Sequence, residues 1–238
     1  MTTLRGIVRD RLTNAVVKIY DAASSDIYGG KAAVTGHVCV DGAAALLPAL
    51  CSEVERRLAD VGAAMLSEEQ VSADPLAAAV VKAYRGDPLG NEVIVRSALG
   101  VSTEEADERG RGWIFVLPFV PFTPGDLVRA RGVVRDAAPP DPSVQVGTTV
   151  NTLDHDVVDL VIAVRFDRRD PTSVTTAHHT LDRLYEGLVE AGYHPYRLDT
   201  AHRRSDVLPD TDLTSTLARR IKSAVDPANV FGGSRYFA

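Results

Sequence analysis

The chain has 238 residues, 45% hydrophobic and 24% charged, with a net charge of −6; this suits one large domain or two small ones with a sizeable core. The acidic excess argues against nucleic acid or an anionic membrane as partner, since either calls for a basic face. With no secretory signal and no uninterrupted apolar run of about 20 residues, the sequence reads as cytoplasmic, and Cys39 and Cys51, outside any CxxC pair, read as reduced thiols acting as small hydrophobes.

Leu12, Val16, Ile19, Tyr20 and Ala23 fall at helical spacing, which predicts a short opening helix ended by Ser24-Ser25-Asp26 and Gly29-Gly30. Val34 to Val40, rich in β-branched residues, predicts a strand. A helix follows over Ala43 to Ala64, with Leu46, Leu50, Val54, Leu58 and Val61 on one face and Pro48 tolerated in its first turns. Asp74-Pro75, an N-cap followed by proline, starts a second helix through Val80, Val81 and Tyr84 to Gly86.

Ser102 to Gly112 is acidic and contains glycine, as a loop does. Trp113 to Pro121 is a dense apolar run short enough for a buried strand, and Thr123-Pro124 opens a helix with Leu127, Val128 and Val134 inside, broken by Ala137 to Pro142. Val144 to Leu153 and Asp156 to Phe166 read as an antiparallel hairpin around Asp154-His155. Arg168-Arg169-Asp170-Pro171 then leads into a helix from about Thr172 to Ala191, with the stripe Val174, Ala177, Leu181, Leu184 and Leu188 and with Gly192 at its C-terminus.

These elements predict an α+β fold in which an antiparallel sheet is flanked by helices on one face. Strand-helix-strand order appears once in each half, as in ferredoxin-like halves. No linker separates them, so 1–238 reads as a single domain with 213–238 as its C-terminal helix and tail.

No GxGxxG follows a strand, and no Walker loop, Gly-x-Ser-x-Gly elbow, HExxH or spaced Cys/His pattern occurs. Gly29-Gly30 and Gly232-Gly233 read as turns. His178 and His179, adjacent on a helix, point about 100° apart and are poorly placed to chelate one ion. Asp154, His155, Asp156 and Asp159 cluster at the hairpin, where Asp serves turn chemistry. Asp159 stands out, because it interrupts an apolar strand and shares a side with Val157, Val161 and Ala163; it lies at a strand end or points into a site. A phenol beside a guanidinium at Tyr196-Arg197 is a natural clamp for an oxyanion. The plainer reading is a packed tyrosine and a surface arginine.

Gly192-Tyr-His-Pro-Tyr196-Arg197 and the closing Asp226-Pro-Ala-Asn-Val-Phe-Gly-Gly-Ser-Arg-Tyr236 resemble the C-terminal end of the vanillyl-alcohol oxidase and 4-cresol dehydrogenase family of flavin-dependent phenol oxidases. In that family a Gly-x-x-x-Tyr-Arg setting holds the substrate's phenolic oxygen, and the ending reads Asp-Pro-Asn-Gly-Ile-Leu-x-Pro-Gly-Arg-Tyr; here glycine replaces the proline. The spacing back to Phe166-Asp-Arg-Arg-Asp170, the opening Leu4-Arg-Gly and the run Gly112-Trp-Ile-Phe-Val-Leu-Pro118 are also similar. The resemblance implies a substrate-binding cap domain that starts where the flavin-binding domain would have ended.

The departures matter equally. The resemblance places Trp113 where several such oxidases carry the histidine that links flavin covalently, and an indole cannot make that bond. It also places Asp159 and Leu160 where such oxidases carry a histidine pair. Two readings follow. The first is a flavin-independent enzyme, a cyclase, isomerase or addition catalyst of secondary metabolism such as polyketide ring formation, acting on an enolic or phenolic small-molecule substrate without a cofactor. Tyr196 and Arg197 would bind and polarise the oxygen, Asp159 or His194 would move a proton, and Trp113 would form an apolar wall. The second is a substrate-binding subunit that completes an oxidase with FAD on a partner chain; it should expose an apolar face, which a homodimer could also cover.

Overall fold

The hairpin expected around Asp154-His155 forms the centre of the molecule. Strands β5 (Gln145–Thr152) and β6 (Val157–Asp167) pair antiparallel along their whole shared length, from Gln145 opposite Arg165 to Thr152 opposite Val158. The computed structural model describes residues 1–13, 16–28, 33–87, 90–203 and 213–231, with the side chains of 90 and 91 excepted.

Outside the hairpin, β1 (Val17–Tyr20) pairs antiparallel with β5 and with β2 (Thr35–Val38), while β3 (Arg111–Val116) and β4 (Phe119–Pro121) pair antiparallel with β6. The order is β2-β1-β5-β6-β3, with β4 also beside β6. Strands of both halves therefore share one antiparallel sheet, joined where β1 meets β5.

The helices in chain order are α1 (Thr2–Arg9), α2 (Ala22–Ile27), α3 (Leu47–Ala59), α4 (Glu68–Ala73), α5 (Pro75–Tyr84), α6 (Gly90–Leu99), α7 (Pro124–Ala137), α8 (Pro171–Glu190) and α9 (Leu213–Val225). The expected starts hold where cap chemistry is strong. Asp74 accepts from Leu76 and Ala77 N–H, Thr123 from Asp126 N–H, and Asp170 from Thr172 N–H, each with proline in the first turn. Gly192 follows α8 at φ +84°, a left-handed conformation that glycine adopts without a Cβ penalty.

Several expectations are corrected. The opening helix over Leu12 to Ala23 is instead the strand β1 followed by the short α2; all four residues of β1 pair with β2 and Lys18 to Tyr20 pair with β5 as well, and that tertiary pairing outweighs a helical spacing. Val128 is 73% exposed although Leu127 and Val134 are buried, and Leu46 and Val61 of the α3 region are exposed too. Helices also lie on both faces of the sheet, not one. The dense run from Trp113 is split at Leu117-Pro118 into two strands, and α4 and α6 were unforeseen, although Ser67 and Gln70 form a complete capping box at the start of α4.

Along β6 the alternate residues Val158, Leu160, Ile162, Val164 and Phe166 are buried in one core with Leu127, Ala130 and Val134 of α7 and Ala177, Leu181, Leu184 and Leu188 of α8. Leu4 and Ile7 of α1 and Val54 of α3 extend that core under β1. Across the sheet, α2 presses on β5: a Cβ at Gly147 would come within 2.5 Å of the Ser24 backbone, and Ser24 Oγ bonds Thr149 Oγ1 at 2.7 Å. No helix among the described residues is long and apolar enough to cross a membrane. The closing Gly232-Gly233-Ser-Arg-Tyr236, like Gly29-Gly30, lies outside the described residues.

Candidate functional site

The face of the sheet opposite α7 and α8 carries a row of polar and aromatic side chains. Paired residues in an antiparallel ladder point to the same side. The register therefore sets His37 of β2, Lys18 of β1, Asn151 of β5, Asp159 of β6 and Phe119 of β4 in one row across the sheet. Leu160, the other residue at the position of the family's histidine pair, points into the core.

Asp159 is only 4% exposed. Its Oδ2 accepts from Asn151 Nδ2 at 3.3 Å, whereas its Oδ1, like Asn151 Oδ1, is buried with no hydrogen-bond partner among the described residues. Burial raises the Asp159 carboxyl above its ordinary value, against the opposing pull of the Asn151 hydrogen bond and the Lys18 charge. Native interiors pair nearly all buried polar atoms. Two buried acceptors thus stand side by side without a partner among the described residues.

At one end of the row His37 sits between two phenols, with Nδ1 2.6 Å from Tyr84 Oη and Nε2 3.1 Å from Tyr20 Oη. Burial, with the Lys18 charge adding to it, pushes the imidazole down to about 4, so it is neutral at pH 7. Burial also pushes the Tyr20 phenol up to about 12. Edge contacts continue from Tyr20 to Tyr28, from Tyr28 to Trp113 and from Trp113 to Phe115, with ring centroids 5.4, 5.5 and 4.4 Å apart. These rings form an aromatic border.

At the other end, the chain leaving α8 runs along the β3–β4 joint. Phe119 N–H donates to His194 O, Tyr196 N–H donates to Leu117 O, and Pro118 and Pro195 form an isolated bridge. This placement stacks Tyr196 on Phe119, centroids 5.0 Å apart and planes 17° apart, and buries His194 Nδ1 without a partner among the described residues.

The structure thus brings Asp159, His194 and Tyr196 together around Phe119. Arg197 does not enter the row: it is exposed, with its guanidinium carbon 5.9 Å from the centroid of the Tyr196 ring, and Tyr196 is itself 41% exposed. The two form a rim. Trp113 shares the face but stands opposite Arg165, six residues along β6 from Asp159, or roughly 20 Å at strand rise. Its buried indole N–H has no partner among the described residues either. Arg165 is occupied, donating to Gln145 Oε1 and Ile27 O.

Lys18, Asn151, His37 and Tyr20 were missed from sequence. A polar residue at alternate positions of a β-branched strand, Lys18 among Val17, Ile19 and Tyr20 or Asn151 after Val150, is the signal that would have found them. Among the described residues no cluster of three or more His, Cys, Asp or Glu side chains is placed to hold a metal ion. A groove of about 290 Å³ lies elsewhere, lined by Ile19, Leu127, Val128 and Val150. Its Asp21 accepts from Thr148 N–H.

No family model and no curated protein matches this chain. Solved structures do. It is similar to 4-ethylphenol oxidase from Gulosibacter chungangensis in complex with isoeugenol, with a TM-score of 0.65 and 15% identity over 96% of this chain and 49% of that one. It is similar to p-cresol methylhydroxylase with substrate bound, with a TM-score of 0.53 and 17% identity over 98% and 48%. It also matches alkyldihydroxyacetonephosphate synthase, with a TM-score of 0.52 and 9% identity over 94% and 40%. The chain therefore spans about half the length of the phenol oxidases or less, and shares their fold over that part. At the level of fold, the resemblance to the vanillyl-alcohol oxidase family holds.

Proposed function

We propose that this cap-like domain is a flavin-independent acid-base enzyme, a cyclase or isomerase for an enolic or phenolic compound of secondary metabolism, with Asp159 as its proton-transfer group. The observation that carries the reading is the orphaned Asp159 Oδ1 beside the orphaned Asn151 Oδ1, in a carboxyl that burial keeps protonated to higher pH than usual. A proton held there can pass to an electron-rich carbon of an enolate or phenolate, forming a C–H bond and leaving a carboxylate. The carboxylate then takes a proton from the adjacent position, so the step balances without an oxidant. Phe119 and Tyr196 offer a planar wall for the ring, and Arg197 stands at the rim. The test is ring hydrogen exchange of resorcinol in D2O, followed by NMR. Protein-dependent exchange that drops about 10²-fold or more in Asp159→Asn supports the role; equal rates in both proteins overturn it.

A second reading has its own support. Leu213, Leu217, Ile221 and Val225 recur every fourth residue along α9 and are all exposed, as are Val230 and Phe231 beyond it. An apolar stripe of this kind suits a covered surface, such as a homodimer contact or a docking face for a flavin-binding chain that would complete an oxidase. The residues fit covalent flavin poorly, because the indole of Trp113 cannot form the link. Stoichiometric flavin absorbance after incubation with FAD would favour this second reading; a flat visible spectrum favours the first.

A further inference from the structure

We infer that the groove between α7 and the strands β1 and β5 is a second binding site, and that its ligand is a medium-chain aliphatic carboxylate. The groove is separate from the row: Val150 and Asn151 are neighbours on β5, so alternation puts the two on opposite faces of the sheet.

Three parts of the chain build it. Ile19 stands opposite Val150 in the β1–β5 ladder, and Thr148 lies two residues along β5 on the same side, which makes the floor. The first turns of α7 make a wall, because Pro124, Leu127, Val128 and Arg131 recur at three- and four-residue spacing along one face. Val34, just ahead of β2, completes the apolar lining. The volume of about 290 Å³ lies at the lower edge of small-molecule sites. At about 30 Å³ for each water-sized group, it holds roughly ten non-hydrogen atoms.

The lining selects the body of the ligand. Its apolar side chains are aliphatic and none is aromatic, which suits an alkyl chain. Val34 and Val128 are 71% and 73% exposed, while Leu127 and Val150 are buried. Two large apolar side chains thus stand open to water at one concave place, and an alkyl chain lying there covers both.

The charges select the head group. Asp21 has both oxygens committed to the backbone, Oδ1 accepting from Ser24 N–H at 2.8 Å and Oδ2 from Thr148 N–H at 3.1 Å. The other arginines of α7, Arg129 and Arg135, pair with carboxylates of their own helix, Asp126 and Asp136. Arg131 borders the groove instead, and its fork of donors matches a carboxylate.

The test is titration of the full chain with octanoate, followed by calorimetry and by backbone amide NMR. Shifts should concentrate at Ile19, Val34 and Val128. Hexanoate should bind about tenfold more weakly, since each of the two lost CH2 groups is worth about fourfold when buried. Octanol and octylamine should also trail octanoate by about tenfold. Arg131→Gln should weaken octanoate by about tenfold and leave octanol within about twofold. Val128→Asp, at an exposed helix position, should abolish octanoate binding by setting a like charge beside it. Asp159→Asn should leave octanoate affinity within about twofold, because that residue belongs to the other face. Three results overturn the inference: no binding at about 10 mM octanoate, shifts centred on Leu217 and Ile221 of α9 in place of the groove, or octanol or octylamine binding as tightly as octanoate.

Discussion

Replacing Asp159 by Asn separates a catalytic carboxyl from a structural one, because the two roles give opposite signs in stability. Burial raises the Asp159 carboxyl, so the folded chain holds that proton more tightly than the unfolded chain does. The associated stability is complete below the ordinary value of 3.8 and is lost as pH rises through the raised folded value. Above that raised value the ionised group is thus a standing cost. An amide of the same shape removes the buried charge and still accepts from Asn151 Nδ2. Removing a buried charge that keeps one hydrogen bond is worth about 1–3 kcal/mol, and at this chain length about 2 kcal/mol corresponds to roughly 4–8 °C in Tm. Thermal unfolding of wild type and Asp159→Asn at about pH 5 and about pH 8 measures the difference, which should favour the variant and widen with pH. A variant less stable than wild type at about pH 8 refutes the reasoning, since the carboxylate would then be a structural anion anchored by Lys18.

The remaining expectations test the frame around the row. Gly147→Ala places a Cβ 2.5 Å from the Ser24 backbone, so α2 must move; a loss of about 1–3 kcal/mol in urea unfolding is expected, and wild-type stability would mean that α2 does not press on β5. Leu184→Ala, fully buried between α8 and the sheet, should cost about 2–5 kcal/mol in the same assay, whereas a cost near zero would deny the core on that face. His37, pushed down to about 4, should show no imidazole titration by NMR between about pH 6 and about pH 8. Its contribution to stability is present above 6.5 and lost as pH falls through about 4; a midpoint near 6.5 would break the tyrosine bracket.

The sequence by itself determined the elements whose signals are local. Thr123-Pro124, Asp74-Pro75 and Asp170-Pro171 announce helix starts because a capping side chain and a proline act within one turn. The β5–β6 hairpin announces itself because β-branched runs flank a polar turn. Asp159 was legible for the same reason: a carboxylate in an apolar strand needs a cause. Tertiary pairing decided the rest. Residues 17–20 satisfy a helical spacing, yet they form a strand because β2 and β5 complete their backbone hydrogen bonds on both edges. Only that pairing brings Lys18 and His37 into line with Asn151 and Asp159, residues more than a hundred positions away. For Arg197 only the tertiary structure gives the surroundings: it is exposed, with its guanidinium carbon 5.9 Å from the centroid of the Tyr196 ring. Alternation states which side of a strand a residue takes, but register, set by long-range pairing, chooses its company.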